Sequence, residues 1–308
     1  MATWRRTNSR IIPKLIGSGK SGVMSVLLSL QAAGVAAAPA AEDGDRGGFF
    51  AAHPVCRIQI ELTPPNAARL RADSRTDVRA DIRALGEVFR DVGVHLKGST
   101  GSFRSIDDRP NFTLDFQRFI RGQKFCGLQK IHLNNSVEDA TYLQEQVGSE
   151  LFRAAQVPAP QVSHALVELN GRPLGLYVLK EGFTADFIAR HFGRADGSLY
   201  DTDQGHDINL PMKRHLGRDS AAGQPELHRL ATAASEPAPE KRWERLEQTL
   251  DVDRFLSFMA MEVMICHWDG YSLGRNNFRI YHDPGIDKLV FLPSGMDQLF
   301  AKADMPWK

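Results

Sequence analysis

The amino-acid sequence predicts an α+β fold of two unequal lobes. Strand-like runs with period-two alternation crowd into the first half of the chain, and the second half leads with amphipathic helices. Strands followed by helices point to segregated layers rather than the alternating βαβ order of a parallel sheet. No internal repeat interrupts that order.

The first strand is expected at "CRIQIEL", where Cys56, Ile58 and Ile60 alternate with polar residues and Pro64-Pro65 closes the run. Val78, Ile82, Leu85, Phe89 and Val92 recur at helical spacing, which predicts a helix capped by Ser74 or Thr76. "GVHLKGSTGSF" reads as a strand entering a Gly/Ser turn, and "NFTLDFQRF" and "LQKIHLNN" as two further strands. From Ser136 a helix is predicted, with Leu143, Val147 and Leu151 on its apolar face and Pro158 ending it. In "QVSHALVELNGRPLGLYVLKEG" two apolar runs flank Asn170-Gly171, the pair favoured in a two-residue type I′ hairpin. A short helix follows around Asp186 to Phe192.

Residues 194–239, rich in Gly, Asp, Ala and Pro, read as a flexible insertion. A helix over Lys241 to Leu250 leads into another capped at Asp251 or Asp253. Its Phe255, Phe258, Met259, Val263 and Cys266 are expected on a core-facing stripe. The strands "NNFRIYH" and "LVFLPSGMD", around the turn "DPGIDK", complete the pattern. The regions so outlined are residues 1–41, 42–183 and 184–308.

At 308 residues the chain suits one or two domains with a large core. Its 38 Lys and Arg face 37 Asp and Glu, a net charge of +1, and the basic residues are dispersed; nucleic acid is not an expected partner. Arg5, Arg6, Arg10 and Lys14 precede an apolar run from Val23 to Val35, small residues at Ala38 to Ala41 and an acidic patch. That order predicts a secretory signal over residues 1–41, a secreted, periplasmic or cell-envelope location, and no transmembrane span after its removal. The apolar run falls short of the roughly 20 residues of a membrane helix. "GSGKSG" (Gly17 to Gly22) is no P-loop, because Lys14 stands where the motif needs its first Gly. Cys56, Cys126 and Cys266 make no metal-binding pair and read as small core residues; a disulfide after export stays open, and the sequence does not pair it. The ten His show no paired-His metal pattern, and no G-x-S-x-G elbow is present, which sets aside a zinc site and a serine hydrolase.

The chemistry concentrates in the last third. In "HWDGYSLGRNNF", Asp269 follows an apolar helix and precedes an Asn pair, and Asp297 follows a strand ending in Pro293. A strand-turn-strand between them brings both acids to one end of a small sheet. Phosphoryl transfer to a hydroxyl needs such a set: a carboxylate for the proton, an amide and an acid for Mg²⁺, and a cation on the phosphates. Asp-Gly is a frequent turn signal, so the residues alone favour a turn at Asp269 over a role in proton transfer.

The blocks "KIHLNNSVEDATYLQEQVGSELFRAAQVPAP", "VELNGRPLGLYVLKEG", "DVDRFLSFMAMEVMICHWDGYSLGRNNFRIY" and "FLPSGMDQLF" together resemble the CotH family of spore-coat-type kinases. Their order and spacing correspond over residues 55–300. The resemblance implies a secreted, atypical protein-kinase-like two-lobed fold that moves the γ-phosphate of ATP, with Mg²⁺ or Mn²⁺, onto Ser or Thr of surface proteins. By position, Asp269 resembles the catalytic carboxylate, Asn277 the metal-binding amide and Asp297 a metal-binding acid. "KGSTGSF", with Gly98 and Gly101, matches a phosphate loop whose backbone N–H groups can approach an anion. Glu145 or Glu150 would hold the phosphate-contacting cation, taken as Arg109 or Lys130, and Glu181 in "LKEG" falls at the hinge beside adenine.

This chain also departs from the family pattern. The last block of the family often reads Pro-Trp-Asp-x-Asp, and here Gly295 replaces the first of the two acids. Asp269 and Asn277 are eight residues apart, against roughly five in ordinary kinases, so the loop must bulge through Ser272-Leu273-Gly274. Arg109 stands where a Lys is expected, and the two are not equivalent on phosphate. The sequence runs only a short way past Asp297, so a C-terminally short or divergent member is expected. Gly295 and that short end favour the alternative of a non-catalytic surface-binding scaffold with the same fold.

Overall fold

The computed structural model describes residues 46–52, 55–99, 101–203, 205–217 and 223–300. The expected secretory segment lies outside these residues.

Helix α1 (Arg46–Ala51) precedes β1 (Val55–Glu61), whose Cys56, Ile58 and Ile60 are buried in strict alternation. Pro64 and Pro65 end that strand by opening α2 (Pro64–Ala72), where a missing N–H costs nothing; Thr63 caps it, accepting from the Asn66 N–H at 3.4 Å. The predicted helix over Val78 to Val92 is instead a hairpin, β2 (Val78–Ala84) and β3 (Glu87–Lys97). Val78, Ala80, Ile82 and Ala84 are buried at period two, and Leu85-Gly86, with φ of 54° and 80°, turns the chain. The helical spacing was a coincidence of two strands meeting across a two-residue turn.

β4 (Asn111–Asp115) and β5 (Lys130–Asn134) follow, then α3 (Gln144–Ala154) and the hairpin β6 (Val162–Leu169) and β7 (Arg172–Glu181), turning at Asn170-Gly171 with φ of 48° and 78°. The seven strands close a barrel in the order β1-β2-β3-β4-β5-β7-β6, sealed by parallel pairing of β1 with β6. Ile58, Ile60, Ile82, Val94, Phe112, Leu133 and Leu179 are among the side chains that fill it. Phe49, Phe89, Phe116 and Phe125 join the same core, with centroids 5.2–6.0 Å apart in edge and stacked contacts.

α4 (Ala185–Phe192) leads to a second sheet. Within residues 194–239, read from sequence as an insertion, lie β8 (Leu199–Asp201), β9 (Lys213–Leu216) and α5 (Pro225–Ala234). α6 (Pro239–Thr249) and α7 (Val252–Met264), capped by Asp251, precede the single turn α8 (Tyr271–Gly274), β10 (Phe278–Asp283) and β11 (Lys288–Pro293). The sheet order is β11-β10-β8-β9. Phe258, Phe278, Phe291 and Met296 pack on one side of it, under α5 and α7, and Phe187, Ile188, Tyr281 and Leu292 on the other. The fold is thus α+β, with the strand-rich half closed into a barrel. Among the described residues no helix is long and apolar enough to cross a membrane.

Candidate functional site

On the barrel, odd and even positions divide between core and cleft. Leu96, Phe112, Leu133 and Leu179 point inward, so Lys97, Thr113, His132 and Lys180 face out together. The register places Lys97 opposite Asn111, Thr113 opposite His132, and His132 opposite Lys180. Thr113 Oγ1 lies 3.1 Å from His132 Nδ1, and Lys97 Nζ donates to Asn134 Oδ1 at 2.5 Å. Removal from water, and then the charges of Lys97, Lys180 and Arg279, hold His132 well below its ordinary pKa, so it is neutral. Lys97 is brought down to about 8, first by desolvation and then by Lys180. Gly98 then turns the chain at φ +104°, where a Cβ would meet Asn111 Nδ2 at 2.9 Å and Phe103 N at 3.0 Å.

Helix α3 supplies the counter-charge. Lys180 Nζ donates to Glu145 Oε1 and Oε2 at 2.9 and 3.0 Å, and Glu145 Oε1 also accepts the Met296 N–H at 3.0 Å. The helix is turned opposite to its apolar pattern. Leu143, Val147 and Leu151 are exposed, while Glu145, Gly148, Ser149 and Phe152 are buried. Gly148 lets the helix approach the last loop, since a Cβ there would lie 2.6 Å from Leu299 Cδ1.

The loop after α7 carries the acid singled out from sequence. Asn276 and Asn277 both donate through Nδ2 to Asp269 Oδ2, at 3.1 and 2.7 Å. Two donors on one oxygen leave Oδ1 as the acceptor for anything entering the site. The long Asp269-to-Asn277 gap is taken up by α8, with Arg275 and Asn277 at φ 47° and 50°. Beneath, His267 and Glu262 are fully buried: Nδ1 lies 2.8 Å from Glu262 Oε1, Nε2 lies 3.3 Å from the Gly295 carbonyl, and Glu262 Oε2 accepts the Ser272 N–H at 3.0 Å. His267 therefore ties the Asp269 loop to the loop that carries Asp297.

That second loop follows β11. The Ser294 N–H donates to the Asn277 carbonyl at 2.9 Å, and Gly295 takes φ +56°. A Cβ on Gly295 would fall 2.5 Å from Asn277 Cγ and closer still to its Oδ1. The Asn277 amide thus occupies the space that a side chain at this position would need. Burial, then the negative charge of Glu145, push the Asp297 carboxyl up to about 6, against the pull of Lys180 and Lys97. A carboxylate so strained by its own neighbours gains from an added cation.

Lys97, His132, Lys180 and Gly295 are among the residues that line one cavity of about 400 Å³, in the range of small-molecule sites. It brings together five of the residues expected from sequence: Asp269, Asn277, Asp297, Glu145 and Gly98. Four others are held elsewhere. Arg109 donates to Tyr142 Oη at 2.8 Å and to the Leu176 carbonyl, stacked by the rings of Tyr142 and Tyr177. Lys130 pairs across the strands with Asp115 at 3.0 Å, so neither cation meets Glu145; Lys180 does. Glu181, read with the hinge, is taken up by Arg190 at 2.7 and 2.6 Å. Gly101 lies outside the lining, its carbonyl accepting from Arg104 at 3.1 Å. Glu150, the alternative to Glu145, is exposed and accepts from Gln146 at 3.1 Å.

Sequence reasoning missed Lys97 and Lys180 as cations, although both occupy outward positions of alternating strands and Lys97 directly precedes Gly98. It also missed Arg279 and Asp201, which pair at 3.1 Å across β10 and β8 on the cavity wall. Asp201 stood in a segment read as a loop, with no pattern to mark it.

Residues 94–305 match the sequence model of the family described as "CotH kinase protein", well over half of the chain, and the chain belongs to that family. It is similar to invasin CotH3 of Rhizopus delemar, 26% identical over 231 residues that make up 69% of this chain and 37% of that protein. It is likewise similar to invasin CotH2 of the same organism, 25% identical over 193 residues, 56% of this chain and 32% of the other. The inner spore coat protein H of Bacillus subtilis is 22% identical over 197 residues, 60% and 53% of the two chains. This chain thus spans about a third to a half of the length of the curated relatives it matches.

Proposed function

We propose that this chain is an atypical kinase of two-lobed type, transferring the γ-phosphate of ATP to a Ser or Thr hydroxyl of a surface or envelope protein. The observation that carries this is the meeting of Asp269, Asn277, Asp297 and the Lys180–Glu145 pair at one cavity between the barrel and the small sheet. Asp269, with Oδ2 fixed by two amides, offers Oδ1 to the acceptor hydroxyl. As the new oxygen–phosphorus bond forms and the bond to the leaving ADP oxygen breaks, the hydroxyl proton passes to that carboxylate. Lys180, oriented by Glu145, and Lys97 hold the phosphate oxygens.

Asn277, which keeps its Oδ1 after giving Nδ2 to Asp269, and Asp297 would hold Mg²⁺ or Mn²⁺; the raised pKa of Asp297 fits a position built for a cation. The ion would neutralise charge on the phosphates during transfer. The names of the relatives, spore coat protein and invasins, support a secreted or envelope setting.

Purified protein with Mn²⁺ or Mg²⁺ and labelled ATP should phosphorylate a generic acceptor, and Asp269→Ala should abolish that transfer without altering the circular dichroism spectrum. Labelling that persists unchanged in Asp269→Ala ends the kinase reading. The second reading, a surface-binding scaffold with the same fold, is favoured by Gly295, which leaves Asp297 as the only acid of its block. It predicts no thermal stabilisation by millimolar ATP with metal.

A further inference from the structure

The cations of the cavity come from both sheets. Lys97 and Lys180 project from the barrel, at the end of β3 and near the end of β7. Arg279 projects from β10 into the cavity, whose lining also includes Asn277 just before that strand. Its guanidinium packs 4.7 Å above the ring of Phe183, which also lines the cavity, and one amino group meets Asp201 Oδ2 at 3.1 Å. The same oxygen of Asp201 also lies 2.8 Å from His215 Nε2. Arg279 Nε is sealed from solvent with no hydrogen-bond acceptor. A buried guanidinium donor without an acceptor is costly, and a planar fork with one edge committed can still present donors to an anion.

We propose that Arg279 is a polyphosphate-binding residue of this cavity, held in place by Asp201, and that it completes from the small sheet the anion site that Lys97 and Lys180 begin on the barrel. The inference rests on the nucleotide reading of the same cavity and adds to it a residue and a segment. A ligand with several linked phosphates can reach cations on both sheets, whereas a single phosphate satisfies one side. The β8 strand, which pairs with β10 through Asp201 opposite Arg279, thereby acquires a part in ligand binding. Asp201 acts as a positioning residue, because without its carboxylate the guanidinium is free to swing.

The test compares affinities for ATP, ADP and AMP with Mn²⁺, by titration calorimetry and thermal shift, in wild type, Arg279→Gln, Arg279→Lys and Asp201→Asn. Arg279→Gln should weaken ATP binding about tenfold while leaving AMP binding unchanged. Arg279→Lys should recover part of the loss, since the charge returns without the fork. Asp201→Asn, which keeps the side-chain shape, should weaken ATP severalfold and serves as the second variant should Arg279→Gln fold poorly. Equal ATP affinity in wild type and Arg279→Gln, or an equal loss for ATP and AMP, overturns the assignment. Inorganic tripolyphosphate separates this from the nucleotide reading. If wild type ignores ATP but binds tripolyphosphate, and Arg279→Gln loses that binding, the anion site stands and the nucleotide reading falls. If wild type binds neither, the polyphosphate site falls as well.

Discussion

Lys180 Nζ meets both carboxylate oxygens of Glu145, at 2.9 and 3.0 Å, with both side chains almost wholly out of water. Removing either partner strands a buried charge, which costs about 3–5 kcal/mol in comparable sites. Lys180→Ala and Glu145→Ala should each lower the urea midpoint strongly. Lys180→Met with Glu145→Leu together should recover most of that loss, because the charges leave as a pair. A double variant no more stable than the singles would show that the pair is not what stabilises this contact.

Gly295 and Asn277 are matched in shape. Gly295→Ala places a side chain at φ +56° and against the Asn277 amide. The left-handed backbone alone should cost about 1–2 kcal/mol. Gly295→Asp should be no more stable than Gly295→Ala, although it restores the acid usual in the family. Wild-type stability of Gly295→Ala in chemical denaturation would refute the packing account.

Asp297 gives a pH-dependent prediction. Its carboxyl is raised to about 6 in the fold, so the native state binds this proton more tightly than the unfolded chain does. The contribution is favourable in acid and is lost as pH rises through about 6, leaving an ionised acid disfavoured at neutral pH. Asp297→Asn should therefore stabilise the ligand-free protein at pH 7.5, by up to about 3 kcal/mol. The same change should remove any stabilisation by Mn²⁺. Melting curves with and without metal measure both effects, and a destabilised ligand-free variant contradicts the sign.

The sign of the His267 effect is set by a different balance. Burial alone works against the charged ring, but the hydrogen bond to Glu262, that carboxylate's charge, the Gly295 carbonyl and the charge of Glu145 raise its pKa. A raised histidine stabilises fully below its unfolded pKa, and that contribution disappears as pH climbs through the folded value. Glu262→Gln should flatten this fall in stability. Parallel melting-temperature profiles for wild type and Glu262→Gln as pH rises above the ordinary histidine range would show that His267 does not titrate in this way.

How far the sequence reached is best seen residue by residue. The Asn170-Gly171 hairpin and the Asp269 loop were legible because turn chemistry is local. Val78 to Val92 misled because five apolar residues satisfied a helical period while two short strands satisfied period two equally well. On α3 the apolar stripe of Leu143, Val147 and Leu151 pointed to the wrong face, since Glu145 is buried by its ion pair with Lys180, and no local pattern reveals a partner 35 positions away. Arg109 and Lys130 were reasonable cations by position, but Tyr142, Tyr177 and Asp115 claim them in the fold.

The parallel pairing of β1 with β6 also dictates an order of events. Ile58 lies beside Val167, with every other barrel strand except β7 between them in the chain. The hairpins β2–β3 and β6–β7 join neighbours and can form within microseconds, but the seam needs both ends of this long stretch. The first strand emerges early from synthesis and must wait, with Ile58 and Ile60 uncovered, until Val162 to Leu169 arrives. A chain cut before Val162 should therefore collect as aggregate, its edge strands left open to pairing with one another.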